Sequence, residues 1–143
     1  MRSDLFNNIH PIRALSPVAA ATSNAAIVSQ IIDTANFDSL TFLISIGANT
    51  DTDALFAVLI EDGENSGLSD AAAVDDKFLL GTEALAGFRF DDDNETRKIG
   101  YIGSKRYVRL TITPSLNDAG NIFVSATAVL GHPRNVPTPN PPV

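Results

Sequence analysis

The residues able to do chemistry are few. The chain of 143 residues holds two histidines and no cysteine. Without cysteine, disulfides, thiolate zinc sites, iron–sulfur clusters and cysteine nucleophiles are excluded. His10 and His132 stand at opposite ends of the chain, each beside a proline, with no partner at metal-ligating helical spacing. Both read as loop histidines, solvated or hydrogen-bonded. Gly63-Glu64-Asn65-Ser66-Gly67 resembles a nucleophile elbow, but its serine falls one position late for G-x-S-x-G and no parallel-sheet pattern surrounds it. It reads as a turn. No glycine loop suited to cradling phosphate is present.

The acids offer more candidates and select none. Asp91-Asp92-Asp93-Asn94-Glu95 is the densest cluster, and carboxylate oxygens suit a hard cation such as calcium. The run lacks the spacing and central glycine of an EF-hand loop, as does Asp51-x-Asp53. A solvated hairpin turn is the better reading. Two converging carboxylates would suffice for glycoside hydrolysis, but nothing singles out a pair. No metal, cofactor or catalytic set is therefore expected, and the chain reads as a protein that acts through its surfaces.

Charge narrows the partners. The net charge of −7 argues against nucleic acid, which needs a basic footprint. No apolar run reaches the ~20 residues that span a bilayer. Asp4, Asn7, Asn8 and His10 interrupt any signal-peptide core at the start, so Asn94-Glu95-Thr96 is not expected to serve as a glycosylation acceptor. Thirteen of the 17 acids lie between Asp51 and Glu95, and five of the 10 basic residues lie between Arg97 and Arg109. Such a division suits either contact between neighbouring subunits or pairs within one chain.

The elements that would carry these residues are strands. Ser39–Gly47 alternates, with Leu40, Phe42, Ile44 and Ile46 on one face. Leu55–Glu61 is apolar on both faces, which marks a central strand or one covered by an arm or partner. Lys77–Leu80 and Leu85–Phe90 read as short strands, and Ser69 as the cap of a helical turn through Ala71–Ala73. Arg97–Ile102 and Lys105–Thr113 flank Gly103-Ser104, which reads as a two-residue hairpin with positive φ at Gly103 and an end at Pro114. Asn121–Leu130 is the last strand. Seven or eight short strands with little helix predict an all-β fold, an antiparallel sandwich or jelly roll.

Three regions follow: an N-terminal arm over 1–23, a sandwich domain over 24–132, and a Pro-rich tail over 133–143. The arm carries Leu5, Phe6, Ile9 and Ile12, which something must cover, and Pro11 and Pro17 break any helix. The tail, with Pro133, Pro137 and Pro139, reads as an extended segment that is free or docks on a neighbour.

Several blocks together carry a resemblance. They are Leu40–Gly47, Asp53–Glu61, Asp62–Asp70, Thr96–Gly103, Tyr107–Thr113 and Ala128–Pro133. From Ile27 to Pro133 the chain resembles small proteins encoded among the head genes of tailed bacteriophages and prophages. The resemblance implies a virion component, first of all a capsid decoration (cement) protein on the outside of the shell, made in the bacterial cytoplasm. Its implied partners are the major capsid protein and sister subunits in a trimer. Under that reading Leu5, Phe6, Ile9 and Ile12 would bury on the shell or a sister subunit. Lys105, Arg106 and Arg109 would meet a neighbour's acids, and Pro133, Pro137 and Pro139 would form a strap. The alternatives are a head–tail connector, neck or tail protein, and a carbohydrate-binding sandwich module, which the lack of Trp weakens.

Overall fold

A computed structural model describes residues 1–142. Eleven strands build two antiparallel sheets. They are β1 (Ile9–Leu15), β2 (Ile27–Val28), β3 (Ile32–Asp33), β4 (Phe37–Asn49), β5 (Leu55–Gly63), β6 (Ala72–Ala73), β7 (Leu79–Leu80), β8 (Phe88–Arg89), β9 (Thr96–Tyr101), β10 (Tyr107–Ser115) and β11 (Ile122–Pro133). One short helix, α1, spans Glu83–Ala86. Sheet A runs β1-β11-β4-β9-β7, and sheet B runs β2-β10-β5-β6, with β3 beside β10 and β8 beside β5.

Leaving aside the two-residue β7 at the margin of sheet A, and taking β2 with β3 and β6 with β8 as single positions, the chain has eight in order. Sheet A then reads first-eighth-third-sixth, and sheet B second-seventh-fourth-fifth. That order is a jelly roll, and it decides between the two sandwich topologies the sequence allows. The two-residue strands are too short to show a period.

The core is what the alternation predicts. Leu40, Phe42, Ile44 and Ile46 of β4 face Phe56, Val58 and Ile60 of β5 and Val108, Leu110 and Ile112 of β10, all buried. Each fully buried side chain of this size contributes roughly 1.5–3 kcal/mol. On β11 the residues beside Phe42 and Ile44 are Ala128 and Ala126. Small residues next to large ones let the layer close without voids.

Several expectations are corrected. Thr96–Tyr101 and Tyr107–Ser115 are not a hairpin, because β9 lies in sheet A and β10 in sheet B. The link between them wraps the buried ring of Tyr101, whose oxygen accepts from Lys105 N–H at 3.1 Å. Gly103 passes so close that a Cβ there would lie 2.5 Å from the ring. Close approach, not positive φ, demands this glycine, since Gly81 is the glycine with positive φ. Pro114 lies within β10, opposite Phe56. Its nitrogen faces the side of β2, which reaches only Thr111 and Ile112, so no ladder N–H is missed.

Ala72–Ala73 is a strand on β5 rather than a capped helical turn. Asp70 organises the turn before it by accepting from the N–H groups of Glu64 and Asn65. Leu85–Phe90 divides into the end of α1, capped by Thr82, and β8. Lys77–Leu80 divides into a 3-10 turn and β7.

The segment read as an arm also divides. Ile9–Leu15 is the edge strand of sheet A, paired with β11 despite Pro11. Pro11 points its nitrogen away from β11, so the ladder loses nothing. The outer margin of β1 is closed by side chains: Thr138 Oγ1 donates to Ile9 C=O, and Gln30 Nε2 donates to Arg13 C=O. The other margins are strands of two residues. Where β5 lies open between β6 and β8, Glu83 accepts from Ile60 N–H at 2.7 Å. The margins of β1 and β5 are thus capped, and β7 covers the Gly100–Tyr101 end of β9.

Candidate interaction surface

Away from its margins the sandwich presents two outer faces. The outer face of sheet A follows from the register. One row runs Pro11, Val129, Thr41, Gly100, Leu80, and the next runs Arg13, Thr127, Leu43, Lys98. Ser125, Ser45 and Thr96 form a third, and Phe123 lies beyond it. Leu43, Leu80 and Phe123 are 38%, 57% and 47% exposed. Leu80 lies across Gly100, where a Cβ would stand 3.0 Å from that of Leu80. The glycine keeps the surface flat.

The paired outward positions of sheet A carry no carboxylate, although the chain has 17 acids; Asp38, at the start of β4, is exposed and lies 3.8 Å from Arg134. The charged residues at these positions are Arg13 and Lys98. On a body of net charge −7 this face is rich in hydroxyls, locally basic and studded with three exposed apolar side chains. The outer face of sheet B differs, since the ion pair of Arg109 with Glu61 crosses its middle at 2.7 Å. β5 is central in that sheet, which explains apolar residues on both of its sides.

The basic residues singled out in the sequence all meet acids of their own chain. Lys105 Nζ lies 3.0 Å from buried Asp62, which raises the lysine's pKa. Arg106 forms a two-pronged contact with Asp33 at 2.8 Å per prong. That contact holds the Asp33 carboxyl below its ordinary range. The acidic run 91–95 is likewise engaged. Arg89 binds Asp91 and lowers its pKa, while Arg97 reaches Asp92 at 3.3 Å and pairs with Glu95. Asp93 accepts from Asn49 N–H. Among the described residues no group of three or more metal-ligating side chains is assembled.

Chain ends come together. Leu5 and Phe6 are each 66% exposed, at a 3-10 turn before β1. Ile9 lies on the outer face of sheet A opposite Gly131. Ile12, Arg106, Pro133, Pro137 and Pro139 border one cleft of about 500 Å³, whose floor includes Phe37 and Leu130. His10 is buried in that cleft, stacked on Phe37 at 5.3 Å between ring centres. His132 lies 3.0 Å from Ser39 Oγ instead. The tail closes over the cleft: Arg134 N–H donates to Asn36 C=O, and Thr138 N–H donates to Asn7 C=O. Val143, the last tail residue, lies outside the described residues.

Sequence reasoning missed the outer-face residues Leu43, Leu80 and Phe123, and it missed Thr138. The signal for Leu43 was present, as a leucine among Ser and Thr on the polar side of Ser39–Gly47.

The fold and site define a jelly-roll sandwich with capped margins at β1 and β5 and no carboxylate at the paired outward positions of sheet A. No protein-family model matches the chain, and no curated protein does. Among solved structures, the SPBc2 prophage-derived protein YomS aligns at 14% identity over 86% of this chain and 92% of that one, with a TM-score of 0.47. The CBM22-1–GH10 modules of xylanase 10B from Clostridium thermocellum align at 9% identity over 94% of this chain and 28% of theirs, with a TM-score of 0.49. The xylan-binding module CBM15 aligns at 11% identity over 94% of this chain and 97% of that one, with a TM-score of 0.42. All three lie below 0.5, and no residue role passes from them to this chain.

Proposed function

We propose that this chain is a structural protein of a tailed-phage virion, a decoration protein seated on the outside of the head shell. It acts by contact, not by catalysis. The observation that supports a contact role is the outer face of sheet A, where exposed Leu43, Leu80 and Phe123 stand among hydroxyls with no carboxylate at the paired positions. A flat face fits a broad protein surface better than a small molecule. The virion class rests on the sequence blocks between Ile27 and Pro133. The major capsid protein is then the main partner, with sister subunits grouped around three-fold positions. Many weak contacts across capsomers add up through multivalency.

The test is the copy number of the chain per purified virion, measured against the major capsid protein. Hundreds of copies are expected. A count of about six or twelve, as rings at the neck or tail would give, overturns decoration in favour of a connector role. Absence from the particle overturns the virion reading, and binding on a glycan array would then favour a carbohydrate-binding module.

A further inference from the structure

We propose that the C-terminal segment Thr138–Pro142 is an exchangeable strap, and that the cleft holding it accepts the same segment from a second copy of this chain. The inference does not depend on the virion reading, because its partner is the chain itself.

The strap is held at few points. Thr138, 7% exposed, is the one buried residue among the described residues of the tail. Its N–H donates to Asn7 C=O at 3.0 Å and its hydroxyl donates to Ile9 C=O. The nearer anchor is Arg134 N–H on Asn36 C=O at 2.9 Å. Between the two anchors Asn135, Val136 and Pro137 are exposed, with Val136 at 61%. This stretch can redirect the chain without disturbing β11.

Exchange would preserve every contact. A strap arriving from a neighbour meets the same carbonyls of Asn7 and Ile9 and the same floor of Phe37 and Leu130. Swapping an identical element is a low-cost route to association for this reason. The prolines at 139, 141 and 142 stiffen the segment, so reseating it elsewhere costs little further ordering.

A second observation points to a copy arriving here. Leu5 and Phe6, both largely exposed, lie within two residues of the Asn7–Thr138 contact, as does Val136. These side chains form an apolar rim at the junction where two exchanged chains would meet. Sequence reasoning left the tail free or docked on a neighbour, and the structure places it on its own domain. Exchange makes these two states of one contact.

The chain has no cysteine, so single cysteines report cleanly. One full-length variant carries Asn7→Cys and a second, of different mass, carries Pro139→Cys. The two are mixed at high concentration, allowed to equilibrate, and treated with a short bis-maleimide. A covalent heterodimer is expected, about ten times more abundant than with a control pair using Asp118→Cys, at the opposite end of β11. Adding Thr138→Val to the Pro139→Cys chain should cut the yield several-fold. Heterodimer no more abundant than the control overturns the proposal, provided a chain carrying both cysteines closes within itself. An unchanged yield with Thr138→Val also overturns it, since the linkage would then be nonspecific.

Discussion

The hydroxyl of Tyr101, from sheet A, donates to Asp62 Oδ2, from sheet B, at 2.8 Å. It ties the two layers where the chain crosses between them. Asp62 is 6% exposed and has Lys105 as its other partner. Tyr101→Phe keeps the ring and removes this tie. It also leaves Lys105 N–H without its acceptor. The expected loss is about 1–3 kcal/mol in chemical denaturation.

The same pair sets a pH dependence. Burial, and then the bond to Asp62, push the Tyr101 pKa well above its ordinary 10.0. The folded state therefore holds a proton that the unfolded chain releases above that value. This stability is fully present below pH 10 and is lost as pH rises further. The denaturation midpoint of the wild type should fall more steeply above pH 10 than that of Tyr101→Phe.

Gly103→Ala would put a methyl group 2.5 Å from the Tyr101 ring. Either the ring or the crossing link must shift. A loss of roughly 1–3 kcal/mol is expected, the range for overpacking a tight core. The double variant with Tyr101→Phe should show less than the sum of the two losses, because both disturb one contact.

Calcium at millimolar concentration should leave the melting temperature unchanged. Asp91, Asp92 and Glu95 already face Arg89 and Arg97, and Asp93 caps Asn49. A cation would have to displace two arginines. Differential scanning fluorimetry with and without chelator checks this, and a rise with calcium would show that the loop rearranges.

Leu43→Lys and Leu80→Lys both fall on exposed positions of the sheet A face. Their effect on stability should stay within about 0.5 kcal/mol, as for ordinary surface changes. Their effect on shell binding, by sedimentation with expanded heads, should be a loss of tenfold or more. Equal binding by wild type and variants would move the contact to another face.

How far the fold was legible depends on strand length. β4, β5, β10 and β11 run nine residues or more, and in each the buried aliphatic and aromatic residues are those the alternation names. β2, β3, β6, β7 and β8 have two residues each and carry no period. β1 was hidden by Pro11, which reads as a break until one knows which way its nitrogen points. The link Gly103-Ser104 suits a hairpin or a crossing equally. What decides it is Tyr101 meeting Asp62, residues 39 apart in the chain. The ion pairs of Arg106 and Arg109 were out of reach for the same reason, since Asp33 and Glu61 are distant in sequence. Leu43 was legible as an oddity, but its neighbours Leu80 and Phe123 come from strands whose order no single sequence reveals.

The caps on β1 and β5 matter most when copies are crowded. Sheets with open margins template one another, and a chain made in abundance then drifts toward fibres. Pro11 offers no N–H there, Thr138 and Gln30 occupy carbonyls of β1, and Glu83 blocks the gap in β5. At these places a colliding copy finds no free backbone group on which to lay a strand.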